Sequence, residues 1–202
     1  ADHEYAIEHH GDRFLVRTNW EAKNFRLMEA PIGTTSKEGW TELIGHRDDV
    51  LLMGFELFAG HLVALERQDG LRRLRIIPSD GGEEHFLDFG EPTYYAGMSA
   101  NPEYDTAVLR YSYQSLTTPS SVFDYDMVTR DRELKKRQEV LGGYDPEQYA
   151  SERVFAPTAD GKWLYGHSWV SLAWLPTHPL WGVIAMPLRA MLYVRRVDVP
   201  KL

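Results

Sequence analysis

The chain has 202 residues, no cysteine and a formal net charge of −8. Without cysteine there is no disulfide and no thiolate metal site, and the acidic balance argues against a nucleic-acid partner while suiting a cationic ligand. The opening Ala1-Asp2-His3-Glu4 lacks both Met and the basic and apolar segments of a secretion signal, so no signal peptide is expected and the gene product is expected to start upstream.

Taken in chain order, short strand-like runs separated by turn residues fill the first 137 residues. The first group is Tyr5–Glu8, Phe14–Thr18, Phe25–Glu29 and Trp40–Ile44. Leu51–Leu57, His61–Glu66, Leu71–Ile77 and Glu84–Leu87 follow, and then Tyr94–Ser99, Val108–Tyr113, Ser121–Met127 and Arg132–Lys136. Alternation is clearest in the third group, where Leu109, Tyr111 and Tyr113 share one strand face and Arg110 and Ser112 the other; a period of two is the strand signature. The central hairpins begin near residues 14, 62 and 108. Four antiparallel strands repeated at that spacing predict β-propeller blades, and the period favours this over an evenly spaced β-sandwich. The expected fold is therefore all-β: a partial propeller of three four-stranded blades over 1–137, a linker over 138–161 and a divergent hydrophobic tail over 162–202.

Specific residues carry a family likeness. Arg17-Thr18-Asn19 with Ala22–Phe25, Glu66-Arg67-Gln68 with Gly70-Leu71, Asn101-Pro102-Glu103, Thr106 and Leu109-Arg110-Tyr111 resemble the propeller of oligopeptidase B, a branch of the prolyl oligopeptidase family. Ser115–Pro119, Tyr125-Asp126-Met127, Gln138-Glu139-Val140 and Tyr149–Arg153 continue the resemblance into the linker that, in the family, enters the peptidase domain. The resemblance implies a cytosolic serine peptidase that cleaves short peptides after Arg or Lys. It implies a seven-bladed propeller capping an α/β-hydrolase domain with a Ser-Asp-His triad, the propeller gating substrate access. The likeness stops at Gly161. Four of six tryptophans follow it, with five Lys/Arg against one acid, whereas residues 1–161 carry a net charge of −12. An out-of-frame tail is the reading this abrupt change suggests, and 41 residues are too few for a hydrolase domain.

Candidate chemistry is weak. Gly166-His167-Ser168-Trp169-Val170 has Val170 where a nucleophile elbow requires glycine, and His178 precedes Asp198, reversing the triad order of that fold. His9 and His10, adjacent on a strand, point to opposite faces and are not expected to chelate one ion together, and with His3 they read as surface or turn histidines; His46, His61 and His85 have no ligand-like spacing. Arg130, Arg132 and Lys135-Lys136-Arg137 read as a solvated edge strand. Arg72, Arg73 and Arg75 read the same way, with a propeller channel as the alternative lining role. Trp163–Leu188 carries no charge but holds three prolines, which suit a spanning helix poorly. No catalytic residue, cofactor or metal is assigned, and no membrane association. The partners expected are short basic peptides, the missing peptidase domain and further copies of the chain, because three blades cannot close a ring. Apolar end faces are then expected, carrying Tyr111, Tyr113 and Phe123 or their opposite numbers. A non-catalytic module binding a protein or peptide partner is the alternative function, and a tail-anchored membrane protein a further one.

Overall fold

A computed structural model of the chain describes residues 3–33 and 36–153, together with the backbone of a short strand pair, Thr177–His178 and Gly182–Val183. The chain divides into two units, Ala1–Arg153 and Val154–Leu202. The first consists of three four-stranded antiparallel sheets, each in simple chain order. Blade 1 holds β1 (Tyr5–His10), β2 (Arg13–Thr18), β3 (Arg26–Pro31) and β4 (Thr41–Ile44). Blade 2 holds β5 (Val50–Leu57), β6 (His61–Gln68), β7 (Leu71–Pro78) and β8 (His85–Phe86). Blade 3 holds β9 (Tyr95–Met98), β10 (Val108–Gln114), β11 (Ser121–Asp126) and β12 (Arg132–Arg137). All twelve predicted runs are strands, and the all-β partial propeller expected from the repeat is the observed architecture.

Burial of alternate residues stacks the sheets face to face. Leu15, Leu27 and Ile44 of blade 1 pack on Leu52, Leu62 and Ala64 of blade 2. The other face of blade 2, with Val63, Leu74 and Ile76, packs on Ala96, Leu109, Tyr111, Tyr113 and Tyr125 of blade 3. The two faces of β6 thus serve two different interfaces, as a period of two requires. A two-residue turn, Asp69-Gly70, closes the β6–β7 hairpin; both residues have positive φ (50° and 81°), the backbone of a type I′ turn whose twist matches the strands.

Two expectations are corrected here. Tyr111 and Tyr113 are buried against blade 2 rather than lying on an end face, and the opposite face of blade 3 is mixed, with Val108 exposed and Arg110 holding Asp124 through two hydrogen bonds of 2.7 and 2.8 Å. Arg72, Arg73 and Arg75 do not form a solvated edge. They lie on β7, inside its sheet, because β8 adds a fourth strand beyond it. Arg72 stacks on Tyr95, Arg73 stacks on Phe86, and Arg75 pairs with Glu66 and Glu84.

Candidate functional site

The first strands of the blades, β1, β5 and β9, converge on one edge of the stack. The Tyr104 hydroxyl of blade 3 meets His10 Nδ1 of blade 1 at 3.2 Å, although blade 2 lies between those sheets. The Tyr104 carbonyl also accepts from the Ala59 backbone in the first hairpin of blade 2, and the Met98 side chain reaches to within van der Waals distance of Gly54. This edge holds the first strand of each blade. Its strands carry Glu8 and Glu56 and no Lys or Arg. Burial pushes the Glu56 carboxyl up, and the negative charge of Glu8 pushes it further in the same direction. The opposite edge is different: β12 is exposed along its whole length and carries Arg132, Glu133, Lys135, Lys136 and Arg137, the charged rim anticipated for that segment.

The residues that carry the family likeness tie blades and turns together. Arg17 Nε donates to the Leu52 carbonyl at 2.8 Å, and its guanidinium lies 3.7 Å above the Phe25 ring. Phe25 has a φ of 63°, a left-handed conformation unusual for an aromatic residue. Asn24 donates to the carbonyls of Arg47 and Asp48, closing the same blade 1–blade 2 junction from the turn side. Glu66, 1% exposed, pairs with Arg47 and Arg75 at 3.3 Å. In blade 3, Asn101 brackets Arg110, accepting from its amide and donating to its carbonyl. The Tyr125 hydroxyl reaches His85 Nε2 of blade 2 at 2.8 Å.

A second cluster sits at the other end of the stack, where residues 144–153 run against the propeller. Ser115 shapes the turn between β10 and β11: its hydroxyl accepts from the amides of Thr117 and Thr118 at 3.0 and 2.8 Å. Both threonine hydroxyls then donate to Glu91, each at 2.8 Å. Tyr113 donates to the same carboxylate at 2.7 Å and Ser151 at 3.3 Å. Burial by itself pushes the Glu91 carboxyl up, but the hydroxyls of Ser115, Tyr113, Thr117 and Thr118 together outweigh it and the net shift is downward. Burial and the hydrogen bond to Glu91 push the Tyr113 phenol well up. Tyr144 donates to the Thr117 carbonyl and stacks on Tyr149, and Arg153 donates to the Asp69 carbonyl. A groove of about 440 Å³ lies between the 117–119 turn, the end of β12 and Tyr144. Glu91 escaped the sequence reading because nothing in Gly90-Glu91-Pro92 marks it; its partners come from positions 22 to 60 residues away.

His9 and His10 sit on β1 against Phe14 and Tyr104 respectively, and His3 bonds the Thr18 hydroxyl. Among the described residues no group of three or more His, Cys, Asp or Glu could hold a metal ion, and no helix is long and apolar enough to cross a membrane. Gly166–Val170 with Ser168, the side chain of His178, Asp198 and, apart from the strand-pair backbone, Trp163–Leu188 lie outside the described residues.

Residues 1–138 match the family model described as prolyl oligopeptidase, N-terminal beta-propeller domain. The chain belongs to the prolyl oligopeptidase family. Over 162 residues it is 45% identical to dipeptidyl aminopeptidase BI of Pseudoxanthomonas mexicana, an alignment covering 80% of this chain and 22% of that protein. Protease 2 of Moraxella lacunata is 27% identical over 157 residues, 78% of this chain and 22% of the relative. Among solved structures, oligopeptidase B from Trypanosoma brucei, in a closed form with covalently bound antipain, superposes with a TM-score of 0.71 at 30% identity, covering 80% of this chain and 24% of that one. Oligopeptidase B from Leishmania major gives 0.70 at 29% identity, with the same shares covered. The chain thus spans under a quarter of the length of these relatives, and residues 1–138 of it match the propeller model.

Proposed function

We propose that residues 1–137 form part of the propeller, and residues 138–153 the start of the linker leaving it, of an oligopeptidase B-like serine endopeptidase that works in the cytosol on short peptides with Arg or Lys before the scissile bond. The propeller's role is to gate access; bond cleavage belongs to a hydrolase domain of the complete enzyme. The observation that carries this reading is the edge formed by β1, β5 and β9, whose only charged side chains are Glu8 of β1 and Glu56 of β5. An acidic passage concentrates basic peptides by long-range attraction, an effect that weakens as salt screens it. A gate of this kind would admit flexible chains and exclude folded proteins.

Two assays test this. The isolated chain is expected to give no turnover of a fluorogenic Arg or Lys peptide; turnover abolished by a serine-directed inhibitor would overturn the gating assignment. In the complete enzyme carrying this propeller, kcat/KM for a basic peptide should fall as salt is raised, while that for a neutral peptide changes little. A flat response for both would remove the electrostatic part of the proposal. A second reading follows from the 45% identical relative, whose name denotes release of dipeptides from an N-terminus. Comparing N-terminally blocked and free substrates of one sequence separates the two, since a dipeptidyl aminopeptidase requires the free amine.

A further inference from the structure

Glu91 stands apart from the residues that hold the blades together. It lies on the connection between β8 and β9, and its carboxylate receives hydroxyls from three separate segments: Tyr113 of β10, Thr117 and Thr118 of the following turn, and Ser151 of the segment after the propeller strands. A carboxylate accepting several short hydrogen bonds from hydroxyls is a strong, directional node, because bonds to an ionised acceptor are shorter and stronger than neutral ones. Ser115 fixes the turn so that two successive threonine hydroxyls face the same oxygen pair. The segment 144–153 has little apolar contact of its own to hold it: it is largely exposed and its ordered element is a single short turn, Pro146–Gln148. Its attachments include Ser151 on Glu91, Tyr144 on the Thr117 carbonyl and Arg153 on the Asp69 carbonyl. The first two run through the Glu91–Thr117 node.

We propose that Glu91 is a positioning residue that anchors the post-propeller segment 144–153 to the junction of blades 2 and 3, fixing where and in what direction the chain leaves the propeller. The node makes this exit a pinned point instead of a free linker. Where the exit leads into a peptidase domain, a consequence that rests on the function proposed above, Glu91 sets the position about which the two domains can move. The anchor itself does not depend on that function.

Hydrogen–deuterium exchange on the full chain tests it without any activity readout. Glu91→Gln keeps the size of the side chain but replaces an accepting oxygen with a donor, so it cannot receive all four hydroxyls. Exchange across 144–153 is expected to speed up on the order of tenfold, with β6 and β10 unchanged, because bonds to an ionised acceptor count for more than neutral ones. Ser151→Ala, which leaves the threonine bonds intact, should reproduce the loosening at 149–153 alone. Glu91→Asp, an acceptor that keeps the charge, should restore part of the protection. Unchanged exchange across 144–153 in both Glu91→Gln and Ser151→Ala would overturn the anchor. Acceleration of β6 and β10 to the same extent as 144–153 would also overturn it, since Glu91 would then be a general stabiliser of the blades.

Discussion

Tyr111 and Tyr113 are two residues apart on β10 and face the same interface, yet their hydroxyls are in opposite situations. The Tyr113 hydroxyl donates to Glu91, whereas the Tyr111 hydroxyl is buried without a hydrogen-bond partner. A buried hydroxyl that lacks a partner has lost its water without compensation, while one bonded to a carboxylate contributes more than a neutral pair. Tyr111→Phe is therefore expected to leave stability within about 0.5 kcal/mol, on the stabilising side, and Tyr113→Phe to cost about 1.5 kcal/mol. Urea denaturation of the two variants in parallel checks the pair, and equal losses would contradict the assignment. Both rings continue to pack, Tyr111 on Phe123 and Tyr113 on Phe89, so the comparison isolates the hydroxyl.

At the level of elements, β12 shows how the sheet protects its outer edge. Its six residues are exposed and five are charged, with Lys135 reaching both Glu133 and Asp124. An outer strand of lower charge and higher β-propensity would present a row of unpaired backbone groups as a template for another chain. The double change Lys135→Val with Lys136→Val should leave the melting behaviour nearly unchanged but raise the apparent mass in light scattering at high concentration. No increase in association would show that the edge is already protected by other means. β10 needs no such protection, because β9 and β11 flank it and its apolar side is covered by blade 2.

For the first unit as a whole, charge placement sets the response to acid. Hydrogen bonds from Arg110 hold the Asp124 carboxyl below the usual range, backbone amides of Thr129 and Val128 do so for Asp126, and Glu91 is lowered on balance. Each contributes stability that is fully present above the ordinary carboxylate range near pH 4 and is lost as pH falls through the depressed folded value. His85 is lowered by burial first and by the positive Arg130 next, so its neutral form belongs to the folded state and stability declines as pH drops below about 6.5. Glu56 works the other way, being raised. The urea midpoint is expected to fall in two stages, a shallow one from about pH 6.5 and a steeper one below about pH 4. A midpoint that rose between pH 7 and pH 3 would mean the Glu56 type of site dominates.

Much of this was legible in the chain. The alternation of Leu109, Tyr111 and Tyr113, the recurrence of hairpins and the turn residues between them determined twelve strands and three blades, because strand faces and turns are local properties carried by period and by glycine. The family motifs were legible too, although their role as inter-blade ties was not. Tertiary structure alone decided which apolar face lies inward: Tyr111 and Tyr113 could have been an end face until blade 2 was seen covering them. It alone moved Arg72, Arg73 and Arg75 from an edge to the inside of a sheet, since the edge is defined by whether β8 pairs beyond β7. It alone assembled the Glu91 node, whose donors are separated by up to 60 residues and share no sequence pattern. Faces and periods are written in neighbouring residues, whereas a shared carboxylate is written in distances that exist only once the blades have stacked.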